Sequence, residues 1–191
     1  MANDLYEDFS ERLFAHYVGG AWRAPLGTHP IAVVTQDGRA LGHVIAAQRA
    51  DVSRLRNNLR GADAAARGRF ADLIVQADAS LAQALGAQGT CVDAAAISQI
   101  AAGIRGDHGA VGHPVCVTDA VGQAPSRFGR QLGRALCDGL VYCPPRTDVL
   151  FATLLARVAA DADLPPGAFN LLHGECAHSA ALLAGAGVPL L

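Results

Sequence analysis

From Pro114 onwards the sequence alternates short, continuously apolar runs with stretches of helical periodicity, and this alternation constrains the fold more than any other feature. A continuous apolar run is typical of a strand buried on both faces, as in a parallel sheet whose crossover connections are helices. The sequence therefore predicts an α/β fold with a parallel sheet of three strands and a fourth that would begin at Val188. The predicted strands are 114–118, 139–143 and 168–172, and the predicted helices are 125–137, 148–160 and 177–184.

The first part of the chain has β-rich runs and a turn signal. Asp37-Gly38 lies between the runs 31–35 and 40–45, and this pairing predicts an antiparallel hairpin. A short strand with a glycine turn is expected earlier, over 17–22.

Helices are predicted to follow the hairpin. Asp51 is expected to cap the first helix. An apolar stripe predicts a second helix over about 63–85, with Arg67 facing solvent, and an Ala-rich helix is expected over 92–104. We therefore divide the chain into 1–112, a hairpin with supporting helices, and 113–191, the parallel sheet, and expect both to form one compact unit.

Residues 4–16 carry apolar side chains at spacings of three and four, including Leu5, Phe9 and Leu13. The pattern predicts a short amphipathic helix. It would either pack on its own domain, which is the more frequent outcome, or serve as a docking peptide for a partner.

Composition excludes several classes of function. All 15 cationic residues are arginine, so Schiff-base chemistry and a P-loop lysine are excluded. The net charge of −2 gives no basic footprint for nucleic acid. No apolar run reaches the length of a membrane helix and the acidic start is unlike a signal peptide, so a cytoplasmic protein without a membrane partner is expected.

The thiols and imidazoles do not form a ligand pattern. An odd number of cysteines at wide spacing predicts reduced thiols rather than a disulfide framework, and no spacing suits a metal. The histidines are scattered, and we expect His16 to be a surface or hairpin residue. The cysteines are Cys91, Cys116, Cys137, Cys143 and Cys176.

Several segments, in this order, resemble the aldehyde dehydrogenase superfamily. Tyr-Val-Gly-Gly-Ala-Trp at 17–22 is similar to the family's (F/Y)-(I/V)-x-G-x-W, and the hairpin around Asp37-Gly38 is similar to N-P-A-T-G-E-x-I. Asp51-Val52 resembles D-V-x-x-A-V. Later segments that resemble the family are the arginine-bearing helix at 67–73, Ala-Leu-Cys-Asp-Gly at 135–139 and Leu-Pro-Pro-Gly-Ala-Phe-Asn-Leu-Leu-His-Gly at 164–174.

The resemblance implies the amino-terminal part of that family, with an oligomerisation hairpin, supporting helices and a Rossmann-like half of an NAD(P)-binding domain with three or four parallel strands. The family's F-T-G-S turn, its E-L-G-G glutamate and its G-Q-x-C nucleophile have no counterpart in this sequence. No catalytic residue is therefore assigned, because the family's reaction needs a thiolate nucleophile, a base and a bound nicotinamide.

The positions that resemble the family's cofactor motifs are altered. Its K-P-S-E, whose lysine contacts the adenosine ribose or a 2′-phosphate, is matched by Cys143, Pro144, Pro145 and Arg146. Gly174 matches the last glycine of the family's L-P-P-G-V-x-N-V-V-x-G, which residues 164–174 resemble. The family's P-W-N has no counterpart, because the segment after the first parallel strand contains neither Trp nor Asn. The resemblance thus gives Cys143, Pro144, Arg146 and Gly174 as degenerate cofactor positions. We expect no bound cofactor, and NAD or NADP if there is one, with Arg146 then on a phosphate.

Two further cysteines invite comparison with a nucleophile. Cys91, in Gln-Gly-Thr-Cys, lies too early in the chain and is interpreted as a structural loop residue. Cys176 follows Gly174-Glu175 at a strand-to-helix turn, where a thiol pKa can be lowered. A buried or incidental thiol is the favoured interpretation of Cys176, and only His173 or His178 is a nearby base.

Two hypotheses follow, from different classes of function. The first is a non-catalytic aldehyde-dehydrogenase-like protein that acts by association, as a homo-oligomer or with a larger aldehyde dehydrogenase, because a half sheet leaves an open edge and apolar surface. The second is an NAD(P)-dependent aldehyde oxidoreductase component that contributes a cofactor half-site to a complex. A third possibility is that the chain is a fragment of a longer reading frame.

Overall fold

The computed structural model describes residues 15–191, and its centre is a five-stranded sheet in the order β2-β1-β7-β6-β5. Strands β5, β6 and β7 are parallel, with Cys116 opposite Val141 and Val141 opposite Asn170. The predicted parallel sheet is therefore confirmed. The strands of this sheet are β1 His16–Val18, β2 Ala21–Arg23, β5 Val115–Val117, β6 Leu140–Tyr142 and β7 Phe169–Leu171.

The first two strands extend the parallel sheet on its β7 side. They form a tight hairpin through Gly19-Gly20, both with positive φ, and Tyr17 of β1 pairs antiparallel with Leu171 of β7. The backbone N–H of Gly19 donates to Asn170 Oδ1 at 3.0 Å, which fixes this hairpin to the neighbouring strand. The sequence predicts the strand and its glycine turn but not its place in the main sheet.

The hairpin around Asp37-Gly38 forms a separate two-stranded sheet of β3 Pro30–Val34 and β4 Ala40–Ile45. Gly38 has φ +82°, the left-handed conformation that such a turn requires. Ile31 and Val33 are buried, whereas the alternate residues of β3 are exposed, so the ribbon packs on the core with one face.

Seven helices lie among the described residues, and they cover both faces of the sheet. On one face of the sheet, the side chains of Val115, Leu140 and Phe169 belong to the larger core cluster. On the other face, those of Cys116 and Val141 belong to a smaller one. The helices are α1 Arg49–Arg56, α2 Ala64–Gln76, α3 Asp78–Ala87, α4 Ala94–Arg105, α5 Pro125–Leu136, α6 Val149–Asp161 and α7 Cys176–Gly185.

The larger core is built around aromatic side chains. Phe70 packs edge-on against Phe169 with ring centroids 5.9 Å apart, and Phe128 contacts Tyr142 and Phe151 at 5.4 and 6.2 Å. Full burial of a side chain of this size contributes about 1.5–3 kcal/mol. These contacts join helices α2, α5 and α6 to strands β6 and β7, so the sheet and its helices are one packed structure.

Three expectations about the helices are wrong. Gln48, not Asp51, is the N-cap of α1, and Asp51 is instead the third helical residue, whose carboxylate accepts from the Gln48 N–H. The predicted helix over 63–85 is two helices, interrupted at Ala77. Arg67 is buried, because its guanidinium donates to the Ala62 carbonyl at 2.9 Å and its stem packs inside.

At the end of the described range, the chain returns to the parallel sheet. Leu190 forms an isolated parallel bridge with Cys116, and the Cys116 N–H donates to the Pro189 carbonyl at 2.8 Å, so the chain pairs with β5 where a fourth parallel strand is predicted. The amphipathic helix predicted over 4–16 lies outside the described residues, apart from its last two positions. None of the helices in residues 15–191 is both long and apolar enough to span a membrane.

Candidate functional site

The candidate site is the crevice at the carboxyl ends of the three parallel strands, where ligands bind in open α/β sheets. The loop after β5 begins at Thr118, the loop after β6 at Cys143 and the loop after β7 at Leu172. Helices α5 and α6 leave towards one face and α7 towards the other, so the chain reverses its winding here. The positions Cys143, Pro144, Arg146 and Gly174 all lie on these loops.

Cys143 does not present its thiol to the crevice. Its side chain is buried with that of Cys116 in the smaller core, and its backbone N–H continues the ladder by donating to the Val117 carbonyl at 2.9 Å. A hydrogen bond with the Cys116 thiol and burial both hold the pKa of Cys143 well above its usual value. Cys143 is therefore a neutral core residue, and Pro144 beside it is also buried.

Arg146 is exposed and already paired. Its Nη2 donates to Glu175 Oε1 at 2.7 Å, with 60% and 56% of the two side chains exposed. The pair joins the loop after β6 to the residue before α7 and neutralises the cation locally. A phosphate would have to compete with this carboxylate for the guanidinium.

Gln88, which follows the last residue of α3, fixes the loop that carries Arg146 through two hydrogen bonds. The Gln88 amide donates to the Arg146 carbonyl at 2.8 Å and accepts from the Leu150 N–H at 2.8 Å. Both bonds span about sixty residues of chain, and Gln88 is buried. Sequence reasoning missed this residue, because a glutamine beside a helix end carries no local signal of such a role.

Asp148 connects two of the strand-end loops and was also missed. It is fully buried, and its Oδ2 accepts from the Val121 N–H at 2.8 Å, while Thr147 Oγ1 donates to its Oδ1 at 2.9 Å. Burial raises the pKa of Asp148, and these two hydrogen bonds partly oppose the increase. The loop after β5 is thus fixed to the loop after β6 by a carboxylate that is not open to a ligand.

Gly174 is a close-packing position. A Cβ at this residue would lie 2.5 Å from Ser179 Oγ, so a larger residue fits only if the Ser179 side chain moves. Cys176 is the first residue of α7, and its Sγ donates to the Cys143 carbonyl at 3.5 Å. Burial raises the pKa of the Cys176 thiol, in the direction opposite to that of an activated nucleophile. The interpretation of Cys176 as an unactivated thiol agrees with this direction.

His173 belongs to a buried cluster and not to the crevice surface. Its backbone N–H donates to His16 Nδ1 at 3.2 Å, the two rings are 6.0 Å apart, and His16 Nε2 lies 3.9 Å from Asp51 Oδ2. Burial lowers the pKa of His173 to about 3 and that of His16 to about 4. Of the two places expected for His16, surface or hairpin, the structure gives the hairpin: His16 pairs with Arg23 in the β1–β2 ladder, and it is buried because β1 lies inside the main sheet.

The described residues do not fit a dinucleotide in the way that the family's motif implies. The position of the motif's lysine holds a buried neutral thiol, and the position of its glutamate holds a paired guanidinium. No group of three or more His, Cys, Asp or Glu side chains within residues 15–191 is arranged to hold a metal ion. The assignment of Cys143, Pro144, Arg146 and Gly174 as cofactor positions stays a prediction.

The fold and its strand-end crevice define an α/β protein with a Rossmann-like half sheet, and solved structures with this fold are aldehyde dehydrogenases. HpcC from Thermus thermophilus superposes with a TM-score of 0.79 at 21% identity, over 99% of this chain and 45% of that one. A NAD-dependent benzaldehyde dehydrogenase from Corynebacterium glutamicum gives 0.74 at 16% identity, over 93% and 48%.

Succinate-semialdehyde dehydrogenase from Burkholderia pseudomallei gives a TM-score of 0.73 at 19% identity, over 89% of this chain and 44% of that one. No family model and no curated protein matches the sequence. The chain therefore has the fold of part of an aldehyde dehydrogenase, as the sequence motifs predict, and spans less than half the length of the solved structures it matches.

Proposed function

We propose that this chain is an aldehyde-dehydrogenase-like protein that acts by association and does not itself transfer hydride. The observation that carries the proposal is the state of the strand-end loop after β6. Its Cys143 is buried and neutral, and its Arg146 is paired with Glu175. A site without a free cation has little to offer the pyrophosphate and ribose phosphate of a dinucleotide.

A calorimetric titration with NAD and with NADP tests the loss of cofactor binding. We expect no saturable heat from either dinucleotide up to millimolar concentration. The same protein sample should show a cooperative thermal unfolding transition, so that an inactive preparation is not mistaken for absent binding. Saturable binding of NAD in the micromolar range would contradict the proposal.

Association is supported by the β3–β4 ribbon and the β2 edge. Within the described residues, the ribbon has only two strands and β2 is the outer strand of the main sheet, so both keep unpaired backbone groups. Val34 of β3 is 46% exposed beside the turn. Such an edge with apolar side chains is suited to a second copy of this chain or to a full-length aldehyde dehydrogenase.

The second candidate is a component of an NAD(P)-dependent aldehyde oxidoreductase, and one observation favours it. Arg146 is exposed at the strand ends, and its pair with Glu175 is a surface pair of the kind that contributes about 0–1 kcal/mol. An incoming phosphate could therefore displace Glu175. In this case NADP binds, Arg146→Gln abolishes its binding, and Glu175→Gln strengthens it.

A further inference from the structure

A groove between α1 and α7 lies on the face of the sheet that carries the smaller core cluster. Its cavity volume is about 270 Å³, just below the range of about 300–1,000 Å³ that is typical of pockets for small ligands. Val52 and Leu182 line the groove, and both pack in the smaller core cluster. The groove therefore has the size of a small organic molecule and an apolar base.

The α1 wall of the groove is positively charged, and its charges are unpaired. Arg49 and Arg56 are spaced i and i+7, which places them on one face of the helix, and both line the groove. Neither side chain has a hydrogen bond or an ion pair within residues 15–191, whereas the neighbouring Arg54 donates to the Ala24 carbonyl at 3.1 Å. Two guanidinium groups are thus available to an anion.

No acidic side chain of the described residues neutralises this wall. Asp51, the acidic residue of α1, is buried on the opposite side of the helix, where its carboxylate accepts from the N–H groups of Leu26 and Gln48. Within residues 15–191, neither Asp nor Glu lines the groove. An anion that enters the groove therefore meets two cations and no fixed negative charge.

The remaining lining of the groove offers few hydrogen-bond donors from side chains. Ser53, between the two arginines, donates its hydroxyl to the Arg49 carbonyl at 2.9 Å, so this hydrogen is already used. The α7 wall is made of small and aliphatic residues. They are Ala181, Leu182, Gly185 and Ala186.

We infer that the groove binds a small amphiphilic carboxylate, in which the charged group is carried on a short aliphatic chain. A guanidinium group donates two parallel hydrogen bonds to a carboxylate, and the chain would lie along Val52 and Leu182. Both arginines are exposed, so charge alone contributes little and the apolar chain supplies most of the affinity. Acetate lacks the chain and an alcohol lacks the charge, so each should bind more weakly.

A series of chain lengths tests the inference. Acetate, butanoate and hexanoate are titrated into the ¹⁵N-labelled chain, and the dissociation constants are obtained from the shifts of the Val52 and Leu182 amide signals. Binding should tighten by about fourfold for each added methylene until the groove is filled. Hexanol should bind several-fold more weakly than hexanoate. Contacts from the hexanoate chain to the methyl groups of Val52 and Leu182, detected by nuclear Overhauser effects, should locate the ligand.

Replacing both groove arginines, Arg49→Gln with Arg56→Gln, should remove the preference for hexanoate over hexanol. Arg130→Gln with Arg134→Gln in α5 is the matched control. Arg130 and Arg134 are also exposed on one helix and have no ion pair within residues 15–191, but they lie outside the groove. The control removes the same charge and should bind hexanoate as the unmodified chain does.

Three outcomes would overturn the inference. The first is an absence of hexanoate binding at millimolar concentration. The second is an affinity that does not depend on chain length, which would mean that the arginines only attract anions in general. The third is an equal loss of hexanoate binding in the two double variants. None of these results depends on dinucleotide binding, so the groove and the cofactor question are tested separately.

Discussion

His16 and His173 show how far a single position can depart from its sequence context. Among residues 15–191, His16 Nδ1 accepts a hydrogen bond from the His173 N–H, and the other three ring nitrogens are buried without a well-formed hydrogen bond. Asp51 lies 3.9 Å from His16, and the Ala15 backbone opposes the lowering of the His173 pKa only in part. Two buried imidazoles with so few partners are stable in the fold only when they are uncharged. A scattered histidine gives no sequence signal of this kind, because the burial comes from strand pairing.

We expect the free energy of unfolding to fall as the pH is lowered from about 6.5 towards 4. Burial lowers the pKa of both histidines from 6.5, to about 4 for His16 and about 3 for His173. Below 6.5 the unfolded chain therefore binds more protons than the folded chain, which favours unfolding. Each tenfold difference in proton affinity corresponds to about 1.4 kcal/mol. Urea unfolding at several pH values measures the effect.

His173→Leu should reduce this pH dependence, since leucine fills a similar volume and does not titrate. His178→Leu is the matched control, because its side chain lies exposed on α7. If His173→Leu and His178→Leu keep the same slope of stability against pH as the unmodified chain, the buried histidine is not the source of the acid sensitivity.

Among the elements, α4 and α5 make the closest helix contact, and glycines create it. A Cβ on Gly103 of α4 would lie 2.6 Å from the Arg130 N, and one on Gly129 of α5 would overlap the backbone of Ile100. The backbones of the two helices therefore touch directly, and neither position tolerates a side chain without separating the helices.

Gly129→Ala should destabilise the protein by about 1–3 kcal/mol, the range typical of an overpacked core. Gly68→Ala in α2 is the matched control: nothing lies within 4 Å of its added Cβ. The control should instead stabilise by roughly 0.5–1 kcal/mol, because alanine is the better helix former. Denaturant unfolding of both variants measures these differences. A stability of Gly129→Ala equal to that of Gly68→Ala would contradict direct contact between the two helices.

Elements with local signals were predictable, and elements that depend on distant partners were not. Asp37-Gly38 between two apolar runs predicted the β3–β4 hairpin, since a short turn and its two strands are encoded within a few residues, although the connection observed between Val34 and Ala40 has five residues. The pairing of Tyr17 with Leu171 joins distant parts of the chain and has no local signature. The interruption between α2 and α3 at Ala77 could not be predicted either, because no proline or glycine marks it in the sequence.

At the scale of the whole molecule, the arrangement of the candidate site could be predicted only in part. The order of strands and helices places the loops after β5, β6 and β7 at one edge, as expected for a parallel sheet. The burial of Cys143 follows from its continuation of an apolar strand. The pair of Arg146 with Glu175 could not be predicted, because these residues are 29 positions apart and belong to loops whose shapes Gln88 and Asp148 determine.

Association through the β3–β4 ribbon leads to the last prediction. Val34→Glu places a carboxylate on the exposed apolar surface of the ribbon, and burying a charge in an interface is costly unless it is paired. We expect the unmodified chain to have a mass above that of one 19.6 kDa chain in size-exclusion chromatography with light scattering, and Val34→Glu to shift the mass towards one chain.

Val75→Glu on α2 is the matched control, since Val75 is also exposed, at 38% against 46% for Val34, but lies on a helix. Both substitutions add the same charge, so a general effect of charge on self-association should appear in both variants. Dissociation by Val34→Glu alone assigns the interface to the ribbon, because only there does the new carboxylate lose its water. A single-chain mass for the unmodified protein at micromolar concentration would contradict self-association, and equal dissociation by both variants would contradict the role of the ribbon.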